Sequence, residues 1–276
     1  MTYWNAALLG LVQGLAEFLP ISSSGHLAVL QNFLAIGDME NHMLFDVLMH
    51  LGTLAAVVLA FWKDVREAAK ELLRMLRLRK MPRGMKPNRR ERRLISFLII
   101  ATLPLIPAVF LSNLVESLYG NTFFIGFAFI MTGFLLFAAD RMGHGNKDER
   151  SANVSDAVVV GLAQMIAVVP GLSRSGTTIS AGMLRGFDRN FAVKFSFLLS
   201  IPAVVGANIV SLVKAISNGV TWSLVPVYLV GVAASFVSGY FAIYFLRLVV
   251  QRGKFGGFCY YCWGAGLVTL LLSLIS

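Results

Sequence analysis

The chain has 276 residues, of which 57% are hydrophobic and only 14% charged, where a soluble domain carries about 25%. With a mean hydropathy of +0.73, it holds too much apolar side chain for a water-soluble protein of this size, and a helical protein that crosses the membrane several times is expected. The formal charge of +10 does not imply a nucleic-acid partner, because 13 of the 24 Lys and Arg residues lie between Lys63 and Arg93. Such a basic loop marks the cytoplasmic side and meets anionic lipid headgroups.

Residues 3–36 are apolar but interrupted. Pro20 ends one helical piece, and Ser22-Ser23-Ser24-Gly25 suits a turn followed by a second helix start. Neither arm (about 3–19 and 24–36) is long enough to cross roughly 30 Å of hydrocarbon comfortably. A helix-loop-helix that enters the bilayer and returns to the same side is expected, its irregular backbone satisfied by protein or a polar cavity. The N-terminus lacks the pattern of a cleaved signal peptide, so this stretch is expected to belong to the fold. Gly37 to Asn41 reads as a polar link. Met43 to Trp62 reads as a full span, with Asp46 and His50 near its start. From Lys63, Val65, Ala68, Ala69, Leu72, Leu73 and Leu76 share one helical face, an amphipathic helix on or projecting from the cytoplasmic leaflet. Pro82, Gly84 and Pro87 break it.

Leu94 to Leu111 and Thr122 to Ala139 are two further spans, joined by a short link containing Glu116. A polar segment, Asp140 to Asn153, precedes a second interrupted element at about 155–184. Spans follow at about 191–213, 223–246 and 257–273, with Arg247, Arg252 and Lys254 between the last two. Cys259 and Cys262 form a C-x-x-C pair in FCYYCW; one pair alone in a membrane helix reads as packing, not as a redox or metal site. If 63–93 is cytoplasmic and 155–184 is re-entrant, every later basic cluster also falls inside. If 155–184 crossed, the clusters at Arg185–Arg189 and at Arg247–Lys254 would be outside, against the positive-inside rule.

The two interrupted elements are related. At a fixed offset of 151 residues, Gly10, Leu11, Gln13, Ala16, Ser22, Ser24 and Gly25 fall on Gly161, Leu162, Gln164, Ala167, Ser173, Ser175 and Gly176. Charge counting brings the first element in from outside and the second from inside. The expected fold is thus an all-α polytopic membrane protein, an inverted-topology repeat with six transmembrane helices and two re-entrant helix-loop-helix elements. It forms one membrane domain over 1–276: a first repeat over 1–139 carrying the cytoplasmic loop 63–93, and a second over 154–276. Broken helices in matching halves point to a shared site. A homodimer through small residues is compatible with this fold, though no interface stands out.

The copies have specialised. Glu17, opposite Val168, is a carboxylate at a depth where charge is costly unless paired or coordinated, which makes it a site candidate as metal ligand or proton acceptor. Gln13 lies one turn earlier on the same face. Ser22, Ser23 and Ser24 exceed what one helix cap requires, and His26 lies three residues beyond Ser23, where a turn of helix brings an imidazole near a hydroxyl. In the second loop, Ser173, Ser175, Thr177 and Thr178 offer hydroxyls at a helix start, and Arg174 has the fork that holds phosphate oxygens. Arg174 requires a partner, either phosphate or Glu17. This equipment suits phosphoryl transfer on a lipid with a charged head. The residues alone leave hydrolysis and anion transport both open.

The motifs QGLAEFLPISSSGHL (Gln13 to Leu27) and PGLSRSGTTISAGML (Pro170 to Leu184) resemble those of the undecaprenyl-diphosphatase, or bacitracin-resistance, family over essentially the whole chain. The resemblance implies removal of the terminal phosphate of undecaprenyl diphosphate, which recycles the lipid carrier of cell-wall synthesis. It also implies a divalent cation, Mg2+ or Ca2+, with Glu17 as a ligand or as the group orienting His26. Catalytic roles fall on Glu17, Ser23, His26 and Arg174, and phosphate-site positions on Ser173 and Thr178. The family setting is the bacterial inner membrane, with the site towards the extracytoplasmic face. Ser23 activated by His26 is the expected nucleophile; the alternative has His26 acting on water or attacking phosphorus itself.

Overall fold

The computed structural model describes residues 1–34, 42–78, 87–217 and 222–275. The expected link Gly37–Asn41 and the breakers Pro82 and Gly84 lie outside these residues. Helix α1 (Tyr3–Phe18) starts under Thr2, whose hydroxyl accepts from the Asn5 amide, and stops at Leu19 just before Pro20, where the missing N–H forbids continuation. Next come α2 (Ser23–Leu34), α3 (His42–Ala60) and α4 (Trp62–Met75). Helix α5 (Arg89–Thr102) gives way at Leu103-Pro104 to the short α6 (Leu105–Ala108), a 3₁₀ turn (Val109–Leu111) and α7 (Ser112–Leu118). The chain continues through α8 (Thr122–Met142), α9 (Val154–Ile166), α10 (Arg174–Leu184), α11 (Arg189–Ser217), α12 (Val225–Gln251) and α13 (Phe258–Ser273).

Among the described residues, five stretches are long and apolar enough to cross a membrane: Arg89–Leu111, Thr122–Met142, Arg189–Val213, Trp222–Gln251 and Phe255–Ser273. Leu44–Ala60 and Trp62–Met75 form a pair bent by 91°, which brings the number to six when counted as one broken span. The fold is therefore an all-α polytopic membrane protein. The amphipathic reading of the segment after Lys63 is seen directly in α4. Two of its three acids turn inward, Asp64 to Lys194 and Glu71 to Arg92, while Glu67, Leu72, Leu73 and Leu76 stay exposed.

At one end of the molecule the basic segments converge. Lys194 bridges Asp64 and Glu149, Arg90 pairs with Glu149, Arg189 pairs with Asp140, and Arg247 lies over the Phe61 ring. Burial opposes ionisation of Glu149, but Arg90 and Lys194 outweigh it and hold the carboxyl below its ordinary range. The same end joins the first turn of α9 to the end of α10, because Arg185 reaches Asp156 at 2.9 Å and Lys147 bridges backbone to Phe187. A cavity of about 620 Å³ opens here, lined in part by Phe61, Asp64, Glu149 and Lys194; no lining residue belongs to the two interrupted loops. At the other end, Ala6 and Leu9 of α1, Leu27 of α2, Phe45 and Met49 of α3, and Val227 and Tyr228 of α12 form a separate apolar cluster.

Between these ends, α1 runs backbone to backbone along α12. A methyl group at Gly10 would sit 2.2 Å from the Gly231 carbonyl, and one at Gly14 would sit 2.0 Å from Ser238 Oγ. Phe18, the last residue of α1, lies against Gly239, with twelve residues of α12 still to run, about 18 Å of helix. The related helix α9 makes the related contact: a methyl at Gly161 would sit 2.6 Å from the Ala101 carbonyl on α5. Small residues at matched positions thus let two helices approach two others closely, as membrane helices do without a hydrophobic driving force between them.

Candidate active site

The loops after α1 and α9 repeat one hydrogen-bond pattern. Ser22 Oγ accepts from the Gly25 amide at 3.2 Å and lies 3.3 Å from Ser24 Oγ. At an offset of 151, Ser173 Oγ accepts from the Gly176 amide at 3.1 Å and lies 3.3 Å from Ser175 Oγ. Each first serine satisfies an orphan amide at a helix start. Each third-position serine reaches across: Ser24 Oγ accepts from the Gly171 amide, and Ser175 Oγ donates to the Leu19 carbonyl. Gly171, at φ +90°, takes a backbone conformation that suits glycine. The two loops are welded to one another by the serines the sequence marks as candidates.

Glu17 is where they share charge. Its Oε1 receives Arg174 Nη2 at 2.5 Å, and its Oε2 receives Ser23 Oγ at 2.7 Å and Gln13 Nε2 at 3.1 Å. His50 of α3 lies 3.8 Å from Oε2, with Nδ1 2.9 Å from Gln13 Nε2. An amide nitrogen only donates, so His50 Nδ1 accepts and the ring proton sits on Nε2. Among the described residues, two buried atoms of this group have no partner: Arg174 Nη1 and Gln13 Oε1. Thr177 Oγ1 is likewise buried and unpaired. Buried polar atoms left unpaired cost about 1–3 kcal/mol each, so a donor and an acceptor held ready beside one carboxylate point to a ligand.

The expected Ser23–His26 contact is not formed. Ser23 spends its hydroxyl proton on Glu17, while His26 folds back along the first turn of α2. His26 Nδ1 meets the Ser22 carbonyl at 2.7 Å, and Nε2 meets Tyr261 Oη at 2.7 Å. The ring stacks on Tyr261 and abuts the edge of Phe129. Thr178 is also turned away from the loops, to the Arg174 carbonyl and to Ser196 Oγ at 2.6 Å. The hydroxyls of Ser22, Ser24, Ser173 and Ser175 therefore serve the loops themselves, and Thr178 ties α10 to α11; Thr177 alone of the second set is unpaired among the described residues.

A model of the family described as bacitracin resistance protein BacA matches residues 6–268. The chain belongs to that family. It is 41% identical to an undecaprenyl-diphosphatase of Alkaliphilus metalliredigens (strain QYMF), over 100% of both chains. It is 40% identical to one of Carboxydothermus hydrogenoformans over 99% of this chain and 98% of the relative, and 37% identical to one of Halothermothrix orenii over 99% of each.

Three members of this BacA-family site lie outside the residues the motifs single out. His50 is visible in sequence only as a polar residue in a span. Thr132 of α8 accepts from the Ser173 amide, and nothing in its local sequence marks it. Tyr261 sits in the FCYYCW segment, whose cysteines draw the eye first. Those cysteines are free and buried, and Cys262 Sγ donates to the Pro20 carbonyl at 3.4 Å. The C-x-x-C pair is packing, and it packs on the site loop.

Proposed function

We propose that the chain hydrolyses undecaprenyl diphosphate to undecaprenyl phosphate and inorganic phosphate, returning the lipid carrier to cell-wall synthesis and conferring bacitracin resistance. The observation that carries this reading is the carboxylate–serine–arginine contact between the two loops, with Arg174 Nη1 buried and free beside it. Ser23 Oγ attacks the terminal phosphorus and its proton passes to Glu17 Oε2. The bond to the bridging oxygen breaks, and undecaprenyl phosphate departs. Water then attacks the phosphoserine and gives up a proton to solvent, the P–Oγ bond breaks, and Glu17 returns to Ser23 Oγ the proton it had taken. The transition state of phosphoryl transfer is loose, so the serine needs little deprotonation early and an arginine-paired carboxylate suffices. Arg174 offsets charge on the equatorial oxygens through Nη1, helped by Thr177. The hydroxyls of Ser22, Ser24, Ser173 and Ser175 hold the shape of the cradle, and Thr178 anchors α10 behind it through Ser196.

A divalent cation fits the donor set. Gln13 Oε1 is a buried carbonyl oxygen without a partner, next to Glu17, and hard cations take oxygen ligands of this kind. No group of three His, Cys, Asp or Glu side chains gathers among the described residues, so Mg2+ or Ca2+ would be held by Glu17 and Gln13 together with the diphosphate. The cation supplies charge neutralisation on the phosphates.

The topology we propose is the inverted repeat of 1–139 and 154–276, with six spans and both interrupted elements re-entrant. Two features support it: α1 stops midway along α12, and Arg185–Asp156 brings both ends of the second element together. The basic end is then cytoplasmic and α1–α2 opens to the extracytoplasmic face. Phosphate release from undecaprenyl diphosphate by pure protein in detergent tests the activity. Release well above background with Mg2+ or Ca2+ is expected. Lipid movement across liposomes without release would instead identify a transporter.

A further inference from the structure

The last span reaches back to the first loop at two adjacent residues. Cys262 Sγ holds the Pro20 carbonyl, and Tyr261 Oη lies 2.7 Å from His26 Nε2, 235 residues away in sequence. The phenol ring is stacked on the imidazole at 5.7 Å with 16° between planes, and Phe129 meets the imidazole edge-to-face at 5.0 Å. A backbone carbonyl only accepts hydrogen bonds, so the Ser22 contact puts the ring proton of neutral His26 on Nδ1. The lone pair is then on Nε2, and the Tyr261 hydroxyl donates to it. Any proton that His26 takes up must arrive at the atom Tyr261 covers. Meanwhile Ser23 is already served by Glu17. The imidazole is a base without a substrate of its own, capped by a phenol that is half exposed.

We propose that Tyr261 is a positioning and proton-relaying residue for the second half of the reaction, the hydrolysis of phospho-Ser23. This rests on the serine mechanism above. A water at the phenol loses a proton to Tyr261 Oη as it attacks phosphorus. Tyr261 passes its own proton to His26 Nε2, the new P–O bond forms, and the P–Oγ bond of Ser23 breaks. The phenol is regenerated and the imidazole is left protonated, to return its proton to solvent. Glu17, having received the proton of Ser23 in the first half, gives it back to Oγ. The two halves thus have separate bases, Glu17 for serine and His26 through Tyr261 for water, and the stacking keeps the relay aligned through both.

Tyr261→Phe keeps the ring and its stacking and removes only the hydroxyl. Rapid-quench turnover of undecaprenyl diphosphate, with phosphoserine read by mass spectrometry, separates the two halves. The variant is expected to release a burst of undecaprenyl phosphate equal to the enzyme present, then to turn over ~100-fold more slowly than the parent, within the range for losing general base catalysis. Phosphorylated Ser23 accumulates during the slow phase, and His26→Gln behaves alike. Undiminished steady turnover in Tyr261→Phe would overturn the relay while leaving the phosphatase reading intact. So would loss of burst and steady rate together, with no phosphoserine. A parent protein that releases no phosphate at all would overturn both.

Discussion

Arg174 and Glu17, 157 residues apart in sequence, meet at 2.5 Å between the two interrupted loops. Each is the partner that makes the other tolerable away from water: removing one side of such a pair strands a buried charge, at a cost of about 3–5 kcal/mol. In the proposed reaction the pair also sets where the diphosphate is received, because Nη1 of the same guanidinium has no partner among the described residues. Arg174→Ala is expected to lower kcat ~100-fold or more, as loss of a transition-state donor does. Arg174→Lys restores the charge but not the fork, and is expected to recover only a small part. Phosphate release in detergent, with thermal denaturation alongside, measures both effects; near-normal turnover of Arg174→Ala would remove the clamp from the mechanism.

Ser23 and His26 are separable by the same assay. The hydroxyl of Ser23 is bonded to Glu17 Oε2 at 2.7 Å, so Ser23→Ala is expected to abolish turnover and leave no phosphorylated enzyme. Glu17→Gln keeps the size of the side chain and loses the acceptor charge facing both Ser23 and Arg174. It is expected to suppress the burst itself, unlike His26→Gln, which leaves it. A Ser23→Ala protein that still turns over, beside an inactive His26→Gln protein, would move the nucleophile to histidine or water.

Much of this site was legible because membrane chemistry makes polar residues conspicuous. Glu17, Arg174 and the serine runs stand out against apolar neighbours, and a repeat at 151 residues marks the loops as related before any contact is known. That Arg174 needs a partner follows from the cost of leaving its charge alone, but the choice of Glu17 over phosphate is seen only in the fold. The pairing of Ser23 was not legible. A spacing of three residues puts His26 within a turn of Ser23, yet which way the imidazole folds depends on Ser22, Phe129 and Tyr261, and α13 is fixed by packing far along the chain. Tyr261 and Thr132 were invisible for the same reason: a hydroxyl on an apolar helix says nothing about the element it faces. The amphipathic α4 was readable because its pattern is local, whereas its sharp angle to α3 at Phe61 was not.

The glycines of α1 carry a functional consequence through packing alone. Gly14 lies one turn before Phe18 and Glu17, and a methyl there would sit 2.4 Å from the Ser235 carbonyl as well as on Ser238 Oγ. Gly14→Leu must push α1 away from α12 and shift the Glu17 carboxylate relative to Arg174, and displacements of about 1 Å cost ~100-fold in rate when reacting groups are pre-positioned. Gly14→Leu is expected to lose activity and thermal stability together. Gly264→Ala on α13 meets nothing within 4 Å and is expected to change neither. Full activity in Gly14→Leu would show that the close approach of α1 to α12 does not hold the site.

Sidedness is the remaining consequence of the proposed topology, and thiol labelling reads it directly. Both native cysteines are buried, so a membrane-impermeant maleimide on intact cells reports an introduced cysteine. Ser155 at the start of α9 and Asp188 just after α10 belong to the end where Arg185 meets Asp156 and Lys194 meets Asp64. Cysteines at Ser155, Asp188 and Lys70 are expected to stay unlabelled until the cells are broken. Tyr3 and Trp222 lie at the starts of α1 and of the stretch leading into α12, both exposed and at the opposite end, and cysteines there are expected to label from outside. Labelling of Ser155 and Asp188 from opposite sides would mean that α9 and α10 together cross the bilayer. Labelling of Tyr3 and Lys70 from the same side would place the first element on the cytoplasmic face and close the proposed outward route to Ser23.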